Sequence, residues 1–256
     1  MGRKSYLLGV VAAVALAWAG STAVGEAVGA QGDRASGRQS PVDVRVADVV
    51  PADLPRLRFE YPASVNVQMH YVRDDDGEPD GCLVRGEEET VRAIVPAGAA
   101  RLVVGDETYE LQQVHWHTPA EHRVNGHRYP LEEHFVHKSA SGKQLVVGVL
   151  VANEHAHNDQ VGRLFAAMPH ECRPDRGVGN VHLRQLLPRD LAVSYRYDGS
   201  LTTYPYTEGV SWIMLRQPLA VGHQQIDQFA RTFPRGNARE VRPLGDRTVL
   251  TERPPR

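Results

Sequence analysis

From Ser40 onward the chain is a series of short apolar runs, rich in β-branched residues and broken by turn signals. The runs are Pro41–Val46, Ser64–Val72, Thr90–Val95, Ala100–Val104, Tyr109–His117, Leu131–His137, Gln144–Val151 and Val210–Leu215. Such patterning predicts strands, whose alternate side chains share a face. Asn125-Gly126 and Ser141-Gly142 lie between runs and suit tight hairpin turns, which require positive φ. Asn158–Ala167 and Gln224–Thr232 instead place apolar residues at i, i+3 or i+4, which predicts two helices. The pattern over residues 40–256 shows no internal repeat and no second boundary, and predicts one mainly β domain with few short helices.

Residues 1–30 follow a different logic. Arg3 and Lys4 precede an uncharged apolar run from Leu7 to Gly20, and Val28-Gly29-Ala30 offers a small-residue cleavage site. That layout predicts a secretory signal peptide, so the mature protein is expected in the periplasm or outside the cell. Because no charge occurs from Ser5 to Gly25, a retained N-terminal anchor is the alternative. Residues 31–39 are small and polar and read as a flexible lead-in. No later segment is apolar enough to span a membrane, so none is expected to touch one after cleavage. Export changes the reading of Cys82 and Cys172, the only two cysteines: in an oxidising compartment they are expected to pair, with two separate buried thiols as the alternative. The net charge of −2 argues against a nucleic-acid partner, which needs a clustered basic surplus.

The chemistry concentrates in residues 111–138, which hold six of the twelve histidines. On a strand, His115 and His117 project to one face while Trp116 takes the other. In the following run Glu132, His134 and Val136 share a face. Folding the two runs as an ideal hairpin about Asn125-Gly126 sets His117 opposite His134, although Pro119 and Pro130 would perturb that register. Three imidazoles then converge, a donor set suited to a catalytic zinc ion with one open position. Imidazole also suits copper, iron and nickel. A cupin-type oxygenase is a rival reading, because His115, His117 and Glu121 match part of that motif. The glycines flanking a cupin motif are absent, as is its later Pro-x-Gly-x-x-His.

The segment His115-Trp116-His117, Ala120-Glu121-His122, Tyr129-Pro130 and Glu132-Glu133-His134-Phe135-Val136-His137 resembles the α-class carbonic anhydrases. Three further blocks, in the family's order, extend the resemblance over about residues 38 to 250. They are Gln39-Ser40-Pro41-Val42-Asp43, then Gly199-Ser200-Leu201-Thr202-Thr203-Tyr204-Pro205 with Glu208 and Val210-Ser211-Trp212, and finally Asn237-Ala238-Arg239 with Pro243-Leu244 and Arg247. The resemblance implies a single domain around a large twisted, mostly antiparallel sheet of about ten strands. It implies reversible hydration of carbon dioxide to bicarbonate and a proton by a zinc-bound hydroxide. The pKa of such a water falls to about 7, a value known for this enzyme class. By resemblance His115, His117 and His134 are the zinc ligands, oriented by Gln113, the Asn237 carbonyl and Glu132 respectively. Thr202 and Glu121 would orient the nucleophile, and Val136, Val146, Leu201, Thr203, Val210 and Trp212 would line the substrate site. His122 and His137 are expected to be buried and structural, and the remaining histidines to lie at the surface.

Departures from the family pattern shape two further expectations. Fast members place a histidine shuttle after an Asn-x-Gly near the cavity mouth, where Val84-Arg85-Gly86-Glu87 stands here. That puts Glu87 in the shuttle position and predicts turnover limited by proton export. The cysteines that exported bacterial relatives use are missing, so a Cys82–Cys172 bridge would replace theirs. Tyr204 takes the place of a proline, while Glu240 and Arg242 replace a proline and a glutamine. The alternative function is an exported zinc-binding, catalytically weak interaction module on the same scaffold. Oligomeric state is not legible.

Overall fold

Strand-forming runs of this kind need partners for every backbone N–H and C=O, and one large sheet supplies them. The computed structural model describes residues 37–73, 82 and 88–253, so the expected signal peptide, Glu87 and most of the lead-in lie outside the described residues. The described strands are β1 (Asp43–Val44), β2 (Val50–Ala52), β3 (Leu57–Glu60), β4 (Val65–Val72), β5 (Thr90–Ile94), β6 (Arg101–Val104), β7 (Glu107–His117) and β8 (Arg123–Val124). They continue with β9 (His127–Arg128), β10 (Leu131–Ser139), β11 (Gln144–Asn153), β12 (Arg176–Val181), β13 (Ser194–Ser200), β14 (Glu208–Val221) and β15 (Leu250–Glu252). Twelve of them make one sheet whose main path of ten runs β12-β4-β5-β7-β10-β11-β14-β13-β15-β2, with β6 on β7 and β3 on β6. All neighbours are antiparallel except β11–β14 and β15–β2. The expected architecture is therefore found, as a mixed sheet.

Alternation sorts the side chains into two cores. On one face Val114, Trp116, Phe135, Val147 and Ile213 pack under the helices α1 (Asp159–Ala166) and α2 (His223–Thr232), with Phe165 and Phe229 between. Both helices fall where the periodicity predicts them. Asn158 starts α1 as its N-cap, its side chain accepting from the N–H groups of Gln160 and Val161. On the other face Val146, Tyr197, Val210, Trp212 and Met214 form a smaller core beside the histidines. Each large apolar side chain buried this way stabilises the fold by about 1.5–3 kcal/mol. Among the described residues no helix is long and apolar enough to cross a membrane.

Two expectations are corrected. The Asn125-Gly126 turn exists, but it joins only β8 and β9, which pair Arg123 with Arg128 and leave the large sheet to lie against β1. The long strands resume after Pro130 two residues out of that register, so His134 faces His115 and Glu132 faces His117. A shift of two preserves the face, which is why the histidines still converge. The run expected at Pro41–Val46 is a strand only at Asp43–Val44, after which the chain turns through a short 3-10 helix, Val46–Asp48. Gln39, at the end of the lead-in, is buried and donates from Nε2 to Glu208 Oε1 at 2.9 Å. Cys82 and Cys172 form the expected disulfide, with Cα atoms 5.8 Å apart.

Candidate metal centre

Two strands position the site. His115 and His117 stand on β7, His134 on β10, and all three are buried. One ring nitrogen from each lies within 4.8 Å of the others. The other nitrogen of each ring is held. His115 Nδ1 donates to Gln113 Oε1 at 2.9 Å, His117 Nδ1 to the Asn237 carbonyl at 2.9 Å, and His134 Nε2 to Glu132 Oε1 at 2.8 Å. These bonds fix the tautomers, so Nε2 of His115, Nε2 of His117 and Nδ1 of His134 present lone pairs to a common centre. His117 Nε2 is buried with no hydrogen-bond partner, and His115 Nε2 and His134 Nδ1 face each other at 3.3 Å. Three orphaned imidazole lone pairs fit a zinc ion. Burial, followed by the neighbouring imidazoles and Arg92, holds the pKa of His115 well below its ordinary value. Burial lowers His117 and His134 too, which keeps the rings neutral, as metal ligation requires.

The positioning groups are themselves anchored. Asn237 is clamped by bonds from its Nδ2 to the carbonyls of Glu89 (3.0 Å) and Trp116 (3.1 Å), and its Oδ1 accepts from Thr118 N–H at 2.8 Å. Glu132 accepts four bonds: His134 Nε2 and His122 Nδ1 at Oε1, and the backbone N–H groups of Glu121 and His122 at Oε2. Burial alone would raise its carboxyl. The imidazoles of His122 and His134 and their N–H bonds outweigh that and hold it well below the usual carboxylate range. His122 continues the chain through Nε2 to Tyr197 OH at 2.6 Å, and Tyr197 OH meets Ser40 Oγ at 2.8 Å.

Glu121 is fully buried, and its Oε1 accepts from Arg239 N–H at 2.8 Å. Burial pushes its carboxyl up to about 7, with the His134 imidazole, the Thr202 hydroxyl and the Arg239 N–H opposing. Among the described residues its Oε2 makes no hydrogen bond, and the buried Thr202 hydroxyl lies close enough to favour its ionised form. The cupin pattern is not met, because the third imidazole comes from His134 and Glu121 is engaged with Arg239. Val146, Val210 and Trp212 are buried in the smaller core, with Val136 and Leu201 packed against it. A cleft of about 520 Å³ opens on the site; in it Gln113, His115 and Thr203 meet Thr90, Arg92 and Tyr204.

Residues 30–253 match the family described as eukaryotic-type carbonic anhydrase, nearly the whole length of the chain. The chain belongs to that family. Similar curated relatives include the carbonic anhydrase of Neisseria gonorrhoeae, 32% identical over 83% of this chain and 76% of that protein. The carbonic anhydrase of Pectobacterium atrosepticum is 36% identical over 63% of this chain and 65% of its own length. The chain thus spans about two thirds of the length of that relative. Among solved structures, the α-carbonic anhydrase of Thermovibrio ammonificans in complex with the inhibitor sulfanilamide superposes with a TM-score of 0.72 at 31% identity, covering 83% of this chain and 86% of that one.

Within this carbonic anhydrase fold, several features of the site were not foreseen from the sequence. The rim is braced by Glu88, which accepts from Tyr204 N–H at 3.0 Å and from the Tyr206 hydroxyl, while the Arg239 guanidinium lies 3.7 Å over the Tyr206 ring. Tyr204 itself is 81% exposed. The inward-facing Arg92 was missed as well, although a charged residue between Val91 and Ala93 in a strand pattern was its signal. His122 and His137 are buried and hydrogen-bonded, as expected of structural histidines.

Proposed function

We propose that this chain is an exported carbonic anhydrase that catalyses the reversible hydration of carbon dioxide to bicarbonate and a proton, with one zinc ion held by His115 Nε2, His117 Nε2 and His134 Nδ1. The observation that carries the proposal is the set of three neutral, buried lone pairs whose opposite ring nitrogens are each fixed by a hydrogen bond. When bound, zinc supplies the Lewis acidity that makes water a nucleophile near neutral pH. Gln113, the Asn237 carbonyl and Glu132 keep the three rings aimed and in the ligating tautomer. Thr202 donates its hydroxyl proton to Glu121, which leaves its oxygen to accept from the attacking water and so turns that water's lone pair toward substrate. Arg239 N–H and Thr202 both favour the ionised, accepting form of Glu121 against the burial that raises its carboxyl. Val136, Val146, Leu201, Val210 and Trp212 offer carbon dioxide an apolar wall from which bulk water is excluded, with Thr203 at its mouth.

The disulfide suits an oxidising compartment, in keeping with export and cleavage after Ala30. Proton export is the expected limit on turnover. Carboxylates as a class relay protons poorly at neutral pH, so Glu87 in the shuttle position would slow proton export. Turnover then rises with the concentration of an imidazole-type buffer, and Glu87→His raises it in weak buffer. Turnover independent of buffer in the wild type would assign the relay to another group. Stopped-flow hydration on protein of known zinc content tests the main reading. Protein that binds zinc but fails to accelerate hydration would be the interaction module instead.

A further inference from the structure

Strand β5 lies between β4 and β7, and its register sets Arg92 opposite His70 on one side and His115 on the other. Directly paired residues share a face, so Arg92 stands on the face of the metal centre, one strand away from a ligand. It lines the cleft of about 520 Å³ together with Gln113, His115 and Thr203. Other inward arginines have structural employment. Arg239 donates to Gln39 Oε1 and to the Ser40 carbonyl, Arg196 pairs with Glu252, and Arg247 bonds the carbonyls of Leu244, Asp198 and Pro243. Among the described residues Arg92 has none: it makes no hydrogen bond and no ion pair with them, and its Nε is buried without a partner. Leaving donors of a half-buried guanidinium open is unfavourable for folding, so packing does not account for the residue. Its charge reaches the centre, where it joins burial and the other two imidazoles in disfavouring protonated His115.

We propose that Arg92 is an anion-binding residue that holds bicarbonate in the cleft beside the metal centre through its open N–H groups. The inference rests on the carbonic anhydrase reading and adds to it the group that recognises the charged partner of the reaction. Carbon dioxide carries no charge and gains little from a guanidinium. Bicarbonate is a planar oxyanion whose two oxygens match the guanidinium fork. No bond is made or broken by Arg92.

Binding of the product has a defined kinetic signature. The overall equilibrium fixes the ratio of kcat/KM in the two directions, so a contact to bicarbonate appears as matched changes in KM and kcat for dehydration. Zinc-loaded wild type, Arg92→Gln and Arg92→Lys are compared by stopped flow at constant ionic strength, with zinc content and melting temperature measured on each sample. A direct arm reads the shift in melting temperature as bicarbonate replaces chloride. Losing one charge-assisted contact of about 1–2 kcal/mol corresponds to a factor of about 5–30. In Arg92→Gln the KM for bicarbonate and its inhibition constant against hydration rise about 5- to 30-fold, the bicarbonate-dependent thermal shift is lost, and Arg92→Lys recovers part of both. Bicarbonate constants and thermal shifts equal in all three proteins would overturn the proposal alone. Zinc-loaded wild type that does not hydrate carbon dioxide would overturn both it and the reading it rests on.

Discussion

Replacing Glu132 with Gln removes the one group that ties both a metal-facing histidine and the His122 chain together. The change is isosteric, so its effect is electrical and directional rather than steric. The amide oxygen can satisfy only one side of the four-bond cluster. If it serves the backbone N–H groups of Glu121 and His122, the amide N–H₂ points at His122 Nδ1 and His134 Nε2, which are both donors. Each buried donor left without an acceptor costs about 1–3 kcal/mol. His122 can escape by shifting its proton to Nε2, where Tyr197 OH accepts it. The same escape for His134 moves the proton to Nδ1, the atom that faces the other two imidazoles, and removes a ligating lone pair. We therefore expect metal-free Glu132→Gln to lose about 2–4 kcal/mol of stability. That lowers the melting temperature by about 5–15 °C for a domain of this size. Zinc affinity should fall about 10- to 100-fold. The sign of the pH dependence follows from the depressed carboxyl of Glu132. Its stabilisation is fully present above the unfolded value of about 4.3 and is lost as pH falls through the lower folded value. The gap between wild type and variant is thus constant near neutrality and closes only in acid. Melting of the metal-free proteins across pH and competition with a chelating dye measure both effects. A variant within about 2 °C of wild type that binds zinc equally well would show that Glu132 does not hold the His134 and His122 protons in place.

Two further outcomes follow from the same structure. Cys82→Ser with Cys172→Ser, which opens a loop with a sequence separation of 90, should cost about 3–5 kcal/mol in denaturant unfolding, and midpoints unchanged by the substitutions or by reductant would contradict this. Glu133 is fully buried on the helix-covered face, neither oxygen makes a hydrogen bond among the described residues, and burial, opposed only by the Trp116 indole, pushes its carboxyl well above the usual range. Glu133→Leu should raise stability by about 1–3 kcal/mol at neutral pH, and a destabilised variant would show that the carboxyl has a role the fold depends on.

The elements read correctly from the sequence are those whose periodicity is strong and whose side chains face a core. Strands β4, β5, β6, β7, β10, β11 and β14 and both helices belong to that group. Several other edge and short strands were missed because their sequences lack a buried face. Arg176–Val181 carries two glycines and an Asn and is largely exposed, and Val50–Ala52 contains Pro51. Ser194–Ser200 was also missed, although Tyr195 and Tyr197 alternate in it, because Arg196, Asp198 and Gly199 interrupt the apolar signal. The face shared by His115, His117 and His134 was legible because strand alternation survives a register shift of two. The register itself was not, because the turn at Asn125-Gly126 closes a small hairpin of its own. Contacts across long separations, such as Asn237 to His117 or Arg239 to Glu121, leave no local pattern and came only from resemblance or from the fold.

The central claim is that three neutral imidazoles hold a zinc ion that hydrates carbon dioxide. Its most direct test is zinc analysis and stopped-flow hydration on the same samples of wild type and His134→Ala, expressed with zinc in the medium. One zinc per wild-type chain and hydration above the uncatalysed rate are expected, with both largely lost in the variant. Wild-type protein that retains no zinc, or a variant that keeps both zinc and activity, would contradict it.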